Sequence, residues 1–215
     1  MKPTFPEIIF VTGIGTGVGK TIVSAVLAEA LHADYWKPVQ TGVLESVDRE
    51  IVQNLLSNFE SKIITDSLEF LHPFSPHYAA SLENKRIELS HFTLPETGRR
   101  LVIEGAGGLL VPLNDTHLMA DLIKKLNVPV VLVTSSYLGS INHTLLTIEV
   151  IKQKQIPFAG IIFNGNPFFD NEKIIDRFAG VSVLGRVAYA ETINKEFVLQ
   201  QAAILKSRLQ NSYIL

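Results

Sequence analysis

The feature that most constrains the fold of this chain is a glycine-rich segment between an apolar run and an apolar-patterned stretch near the N-terminus. Residues 7–12 are mostly apolar, residues 13–21 read Gly-Ile-Gly-Thr-Gly-Val-Gly-Lys-Thr, and apolar residues then recur at helical spacing over residues 22–31. Glycines allow the backbone to curl until successive N–H groups point inward, and the following helix presents its positive end to an anion. This order of strand, turn and helix is typical of a loop that binds nucleotide phosphates.

The core of this loop matches the usual phosphate-binding pattern, whereas its first position does not. Lys20 would place a positive charge near the outer phosphates, and the Thr21 hydroxyl could bind a magnesium ion. In the pattern G-x-x-x-x-G-K-[ST], Ile14 stands where the first glycine is required, and Gly13 lies one residue early. The alternative is a glycine-rich turn before an ordinary helix. The strand and helix on either side favour phosphate binding.

Composition narrows the class of protein. The 215 residues are 47% apolar and carry a net charge of −2, so the chain has no basic excess with which to bind nucleic acid. It has no cysteine for disulfides or thiolate chemistry. We find neither a signal peptide nor an apolar run of roughly 20 residues that could cross a membrane. We therefore expect one cytoplasmic domain spanning residues 1–215, without membrane or nucleic-acid partners.

Short apolar runs alternate with helical patterns along most of the chain. Strands are predicted over residues 7–12, 35–39, 101–104, 128–133, 158–163 and 181–187. Helices are predicted over residues 22–31, 50–59, 116–126, 140–154, 171–178 and 192–209, while residues 60–100 have no regular pattern. This alternation predicts an α/β protein of the P-loop NTPase type, with a doubly wound, mostly parallel sheet and helices on both faces.

Polar residues at predicted strand ends indicate where the chemistry lies, because open α/β sheets bind ligands beyond the carboxyl ends of their strands. Glu104 follows Leu-Val-Ile and could bind a metal beside the phosphate loop, together with Thr21; the alternative is a strand cap. Lys37 could stabilise charge on a transferring phosphoryl group, although a single lysine there is more often solvated. Taken alone, Asp48 predicts a helix cap and Asn164 a turn.

Seven motifs occur in order along the chain and together resemble those of one family. They are VTGIGTGVGKT at 11–21, KPVQTG at 37–42, SPH at 75–77, IEGAGG at 103–108, PLNDT at 112–116, LGSINHTLLT at 138–147 and AGIIFN at 159–164. The chain thereby resembles the dethiobiotin synthetases, ATP-dependent enzymes that close the ureido ring in biotin synthesis. The resemblance covers nearly the whole chain. It implies ATP, CO2 and 7,8-diaminononanoate as substrates and Mg²⁺ as cofactor.

The resemblance also implies a reaction course. One amine of the substrate takes up CO2 as a carbamate, whose oxygen attacks the γ-phosphate of ATP to give a carbamic-phosphoric anhydride. The second amine then closes the ring and expels phosphate. Lys20 and Lys37 would be the catalytic residues, holding the carbamate in line and spreading the growing negative charge.

Site residues follow from the same resemblance. It implies ATP binding by Gly17, Val18, Gly19, Lys20, Thr21, Ile22, Asp48, Glu104, Gly105, Ala106, Gly107, Asn164, Ala188, Tyr189 and Ala190. Within that set, Asn164 would bind the adenine, and Thr21, Asp48 and Glu104 would bind magnesium. It implies substrate contacts from Thr16, Lys37 and Thr41, and from Gly139, Ser140, Ile141 and Asn142 of a neighbouring subunit. A helix start that binds the substrate carboxylate across subunits would require a homodimer.

The chain departs from the family pattern at three places. Gly17 stands where some members carry glutamate, and Ala188 stands where many have proline. Residues 87–100 are short and include Pro95 and Gly98, so a long crossover helix of relatives is predicted to be truncated here.

Three alternatives of different kinds remain open from the sequence. One is another ATP-using amide-forming or ligase enzyme of the same superfamily, such as those that modify cobyrinic acid. Another is a regulatory ATPase of the partitioning or cell-division type, which needs a lysine where this chain has Gly15. A nucleotide-binding protein without catalysis is a third, although Lys37 and Glu104 at strand ends argue against it.

Overall fold

The computed structural model describes residues 2–215, and their main feature is a seven-stranded parallel sheet of order β4-β2-β6-β1-β7-β8-β9. A second, two-stranded parallel sheet pairs β3 with β5. The strands are β1 Ile8–Gly13, β2 Asp34–Trp36, β3 Val39–Thr41, β4 Ile63–Ile64, β5 Leu68–Phe70, β6 Leu101–Gly108, β7 Val130–Ser135, β8 Phe158–Asn164 and β9 Val183–Val187. The helices are α1 Lys20–Leu31, α2 Asp48–Leu55, α3 Pro76–Leu82, α4 Met119–Leu126, α5 Ser140–Gln153, α6 Asn171–Ala179 and α7 Lys195–Ser212, with a 3-10 turn at Leu89–His91.

Helices cover both faces of the sheet, as predicted. Successive side chains of a strand point to opposite faces, so Phe10 packs into one apolar layer while Ile9 and Val11 pack into the other. The first layer includes residues of α3 to α6, and the second includes residues of α1, α2 and α7. The central strands are buried on both sides, which explains their nearly continuous apolar sequences.

The connections of β1 and β7 fix where a ligand can bind. These strands are neighbours, yet the chain leaves β1 towards β2 on one side and leaves β7 towards β8 on the other. Such a reversal opens a crevice at the carboxyl ends of the two strands. The glycine-rich loop follows β1 directly and therefore lies at this crevice.

Several predicted element boundaries were wrong. The strand expected over 35–39 is two strands, β2 and β3, because Pro38 lacks the N–H that a continuous ladder needs and β3 pairs with β5 instead. The helix expected over 50–59 begins at Asp48 and ends at Leu55, since Glu29 accepts the backbone N–H groups of Ser57 and Asn58 and redirects the chain.

The segment over residues 60–100 is more ordered than its sequence predicts. It contains β4, β5 and α3, all short, and a single 3-10 turn lies within residues 87–100. No α-helix is described within residues 87–100, and the truncation relative to other family members stays a prediction. Among residues 2–215 there is no helix that combines the length and the hydrophobicity needed to span a bilayer.

Candidate functional site

The phosphate loop folds back onto the end of β1, and this explains the unusual position of its first glycine. A Cβ atom on Gly13 would lie 2.6 Å from Cγ2 of Val18 and 3.0 Å from the carbonyl oxygen of Gly15. Both distances are too short for a side chain, so the close approach that requires glycine falls at position 13. Ile14 instead packs its side chain against the apolar core. The shift by one residue from the usual pattern is therefore accommodated by the local packing.

Gly19 forms the junction between the loop and α1. Its φ of 87° is left-handed, and a Cβ there would collide with the side-chain amide of Asn164. That amide donates to the carbonyl oxygen of Val18 over 3.1 Å, so the end of β8 is tied to the loop. Within residues 2–215 no side chain caps the N-terminus of α1, and its first turn holds no acidic residue. Its N–H groups and dipole therefore point to the crevice, as anion binding requires.

Lys37 connects two carboxylates beside the loop. Its Nζ lies 2.9 Å from Oε1 of Glu104 and forms an ion pair with Asp48. The Thr21 hydroxyl lies 3.0 Å from Oδ1 of Asp48 and 3.1 Å from Oε1 of Glu104. Lys37 is 5% exposed and Glu104 is 1% exposed, so a solvated lysine and a simple strand cap are both excluded. We call Thr21, Lys37, Asp48 and Glu104 the charge cluster.

Gln40 organises the approach of α2 to this cluster. Its Oε1 accepts the backbone N–H of Asp48 at 3.1 Å, and its Nε2 donates to the carbonyl oxygen of Thr41 at 2.8 Å. The sequence analysis did not single out Gln40, although it lies within the KPVQTG motif. Its place in that motif, three residues after Lys37, was the available signal.

The two lysines of the site differ in their electrostatics. Burial lowers the pKa of Lys20, whose Nζ contacts only the carbonyl oxygen of Gly15 at 3.1 Å among described polar atoms. Burial would also lower the pKa of Lys37, but the charges of Glu104 and Asp48 outweigh burial and raise it. Lys37 is therefore a permanently charged, paired cation, whereas Lys20 is a buried cation that lacks an anionic partner at hydrogen-bonding distance.

A cavity of about 410 Å³ lies over the loop and the charge cluster. Of the predicted site residues it is lined by Thr16, Gly17, Gly19, Lys20, Thr21, Ile22, Lys37, Thr41, Asp48, Glu104, Ala106 and Gly107. It is also lined by five residues that the sequence analysis did not single out: Gln40, Gly42, Glu45, Ser46 and Pro73. Residues that lie more than 80 positions apart in the sequence thus meet around one cavity. It is large enough for a phosphate tail and a small acceptor.

The remaining predicted residues lie outside this lining. The Val18 side chain is buried, and a Cβ at Gly105 would meet the ring of Phe10, so both positions face the protein interior. Ala188 and Tyr189 are exposed; the N–H of Ala188 donates to Gln201. The predicted base-binding segment of residues 188–190 is thus separate from the cavity wall.

The start of α5 is also outside the cavity and is held by internal hydrogen bonds. Gly139 has a φ of 100° and precedes the helix. Ser140 is buried, and its Oγ accepts from Nδ2 of Asn171 and from the backbone N–H of Tyr137, both at 3.3 Å. Ile141 is half-buried and Asn142 is exposed, so this helix start faces outward rather than into the cavity of its own chain.

The charge cluster has the donor set that a magnesium ion needs. A hydroxyl and two carboxylates supply hard oxygen ligands, and Mg²⁺ commonly binds one or two carboxylates while keeping several waters. Within residues 2–215 no group of three or more histidine, cysteine, aspartate and glutamate side chains forms a metal cage. The residues present therefore suit a magnesium ion shared with phosphate oxygens better than a cage-bound metal.

Comparisons with known proteins agree with this geometry. A family model described as "AAA domain" matches residues 7–196. Among solved structures, the MinC:MinD cell division protein complex of Aquifex aeolicus matches with a TM-score of 0.57 at 11% identity, covering 98% of each chain. A plasmid partition protein from Borrelia burgdorferi matches with a TM-score of 0.57 at 15% identity, covering 98% of this chain and 100% of that one. At such identities these structures show the fold alone.

Curated relatives share much more sequence. The ATP-dependent dethiobiotin synthetase BioD of Christiangramia forsetii is 46% identical over 204 residues, covering 95% of this chain and 98% of the relative. The protein of the same name from Cytophaga hutchinsonii is 48% identical over 197 residues, covering 91% and 95%. Identity at this level over more than nine-tenths of each chain shows that the chain belongs to the ATP-dependent dethiobiotin synthetase family.

Proposed function

We propose that this protein carboxylates 7,8-diaminononanoate and closes its ureido ring to give dethiobiotin, with cleavage of ATP to ADP and phosphate, in biotin biosynthesis. The observation that carries the proposal is the position of Lys37. It is a buried cation held between Glu104 and Asp48, beside a phosphate loop and at the wall of one cavity. A family whose named members are ATP-dependent dethiobiotin synthetases supports the choice of reaction.

ATP binding uses the loop and the outer segments together. The backbone of residues 17–22 holds the phosphates, with Lys20 adding a charge and residues 105–107 forming the facing wall. Asn164 contacts the adenine, and residues 188–190 flank the base. The uncapped N-terminus of α1 supports the assignment for the phosphates, because its N–H groups have no protein partner to displace.

Thr21, Asp48 and Glu104 would hold the magnesium ion. When bound, the ion neutralises charge on the phosphate oxygens during transfer. The Thr21 hydroxyl lies 3.0 Å from Oδ1 of Asp48 and 3.1 Å from Oε1 of Glu104, which supports this assignment. Lys37 forms ion pairs with the same two carboxylates.

Lys37 and Lys20 carry the transfer step. CO2 adds to one amine of the substrate, which loses a proton and becomes a carbamate. A carbamate oxygen attacks the γ-phosphorus, the bond to the β-phosphate oxygen breaks, and ADP leaves. The second amine attacks the carbonyl carbon, the bond from carbon to the bridging oxygen breaks, and phosphate leaves with that oxygen. Two positive side chains near the transferred group stabilise charge that grows in the transition state.

The substrate is held from two sides. Thr16 and Thr41 line the cavity and would contact the diamine end. Gly139, Ser140, Ile141 and Asn142 at the start of α5 would bind the substrate carboxylate in the site of a second copy, because they do not line the cavity of their own chain. We therefore propose a homodimer with sites shared between subunits. We also propose a cytoplasmic location, where ATP and bicarbonate are supplied.

The direct test is to supply the purified protein with ATP, Mg²⁺, bicarbonate and 7,8-diaminononanoate, and to measure dethiobiotin by mass spectrometry together with released phosphate. We expect both products in equal amounts. Turnover of a different amine or carboxylate acceptor, without dethiobiotin, would move the assignment to another ligase of the superfamily. Phosphate release without any acceptor would favour a regulatory ATPase.

The shared site has its own test. Lys37→Ala and Asn142→Asp would each inactivate the homodimer, the second because a carboxylate at the helix start repels the substrate carboxylate. When the two variants are mixed and allowed to exchange subunits, half of the dimers gain one intact site, so about a quarter of the wild-type activity should return. No recovery in a mixture that has exchanged would contradict the shared site.

A further inference from the structure

Tyr35 contacts the charge cluster from the protein interior. It is fully buried on β2, and its hydroxyl donates to Oε2 of Glu104 over 2.8 Å. The other carboxylate oxygen, Oε1, accepts from Nζ of Lys37 at 2.9 Å and from the Thr21 hydroxyl at 3.1 Å. The two oxygens of one buried carboxylate are thus divided between an interior partner and partners that line the cavity.

The register of the sheet produces this contact. β2 runs parallel to β6, and Tyr35 lies opposite Val102. Because side chains alternate along a strand, Tyr35, Val102 and Glu104 point to the same face of the sheet, whereas Trp36 and Ile103 point to the other. A long side chain leaning along its strand can reach the carboxylate two residues beyond its pair. The same alternation sends Lys37 to the face of Glu104.

We propose that Tyr35 is a positioning residue for this reaction: it holds Oε2 of Glu104, so that Oε1 is presented to Lys37, Thr21 and the magnesium ion. The inference rests on the proposed function in one respect, the membership of Glu104 in the phosphate and metal site. A hydroxyl bound to an ionised carboxylate forms a charge-assisted hydrogen bond, which fixes orientation more strongly than a neutral one. Hydrogen-bond partners of metal-binding side chains are commonly worth 10- to 100-fold in metal affinity or activity.

The packing of Tyr35 also supports the role. The ring packs in the apolar layer formed with α1 and α2, which restricts the directions in which the hydroxyl can point.

The test removes only the hydroxyl, in Tyr35→Phe. Mg²⁺ is titrated calorimetrically into the complex of the protein with a non-hydrolysable ATP analogue, a measurement that needs no diamine. We expect the half-saturating Mg²⁺ concentration to rise at least about 10-fold and kcat to fall by a similar factor, while binding of the analogue without Mg²⁺ changes less than about twofold. Tyr213→Phe is the matched control, since its ring packs against Phe5 outside the cavity, and we expect it to leave the Mg²⁺ titration unchanged.

A Tyr35→Phe protein with the Mg²⁺ dependence of the wild type would overturn the proposal, whatever its stability, because a purely structural hydroxyl would change only the unfolding transition. If the variant does not fold, 3-fluorotyrosine at position 35 gives a second measurement. Its ¹⁹F resonance should shift when Mg²⁺ joins the nucleotide complex, and an unmoved resonance would overturn the proposal. Failure of the wild type to make dethiobiotin would reject the proposed reaction, yet leave this titration interpretable.

Discussion

The two ends of the site differ in how completely one chain builds them. At the phosphate end, which comprises residues 13–21 and the charge cluster, Lys37 and Glu104 are buried and paired with each other, and half-buried Asp48 pairs with the same lysine. At the outer end, which comprises residues 137–142 and 188–190, large side chains stand in solvent: Leu138 is 92% exposed and Tyr189 is 62% exposed. The groups proposed to act on the phosphoryl group are held in place within the chain, whereas the segments proposed to hold the base and the carboxylate carry large exposed side chains.

This difference has an energetic reason. Stabilising a transition state requires charges that do not reorganise during the reaction, and such charges must be fixed by burial and mutual pairing. Burying them costs free energy that the Lys37 pairs with Glu104 and Asp48 offset. Exposed apolar side chains next to a helix start, by contrast, are typical of surfaces that another molecule covers.

The largest expected effect is on folding stability, within the phosphate end. Lys37→Met leaves the carboxylates of Glu104 and Asp48 without their cation, and we expect a loss of about 3–5 kcal/mol in the free energy of unfolding at pH 7. Lys20→Met is the matched variant. It removes a buried cation without an anionic partner, so the nucleotide-free protein should be at least as stable as the wild type. Urea unfolding measures the stability of both variants. Equal destabilisation would contradict the distinction between a paired Lys37 and an unpaired Lys20.

The pH dependence of stability should separate the same two lysines. The raised pKa of Lys37 means that its stabilisation is complete below the ordinary lysine value of 10.5 and is lost only as the pH rises through the higher value. The lowered pKa of Lys20 has the opposite sign: the free energy of unfolding should rise with pH between the lowered value and 10.5. In urea titrations between pH 7 and pH 10, the free energy of unfolding of the wild type should therefore rise with pH relative to that of Lys20→Met.

The next effect is on turnover. We expect Lys37→Ala to lower kcat by about 10²- to 10³-fold, because one of two cations at the transferred phosphoryl group is lost, and to weaken ATP binding far less. Steady-state kinetics and calorimetric ATP binding give the two numbers. Lys62→Ala, which removes an exposed lysine outside the cavity, serves as control. Equal loss of ATP affinity and kcat in Lys37→Ala would show that Lys37 binds the nucleotide without acting on transfer.

A smaller effect is expected at the loop itself. Gly19→Ala introduces a Cβ at a left-handed φ of 87°, against the Asn164 amide, and should cost about 1–3 kcal/mol of unfolding free energy. Gly15→Ala is the matched substitution, since a Cβ at Gly15 meets no atom within 4 Å. Thermal and urea unfolding compare the two. Similar losses in both variants would mean that the contact between the loop and Asn164 at the end of β8 does not contribute to stability.

The smallest effect is expected at the outer end. Tyr189→Ala removes a largely exposed ring beside the proposed base site, so we expect KM for ATP to rise about threefold at unchanged kcat, from loss of a partial stacking contact. Initial rates at varied ATP concentration measure this. A loss of kcat as large as that of Lys37→Ala would remove the contrast between the two ends.

The sequence predicted the phosphate end better than the outer end, and the reason is locality. The loop, α1, and the ends of β2 and β6 are encoded by continuous runs of glycine or apolar residues, so Lys20, Lys37 and Glu104 could be identified from their neighbours in the chain. Tyr35 could not, because its contact with Glu104 joins residues 69 positions apart and depends on the register of β2 against β6. Gln40 was missed for a similar reason, since its partner is the start of α2.

The middle of the chain was the least predictable part of the fold. Strands β4 and β5 have only two and three residues, too few for a period to be recognised. Their positions are set by pairing with β2 and β3, which are themselves short. The periodicity of the sequence does not indicate the substrate. The expected substrate came instead from the resemblance to a family.

The most direct test of the proposed mechanism is to follow the oxygen atoms of the fixed CO2 into the products. If a carbamate oxygen attacks the γ-phosphorus beside Lys37 and ring closure then breaks the bond from carbon to that oxygen, one labelled oxygen from ¹⁸O-bicarbonate must leave in the phosphate. We expect mass spectrometry to find ¹⁸O in the released phosphate in step with dethiobiotin formation, and both to form about 10²- to 10³-fold more slowly in Lys37→Ala. Phosphate that takes its new oxygen only from water, while dethiobiotin still forms, would contradict the account.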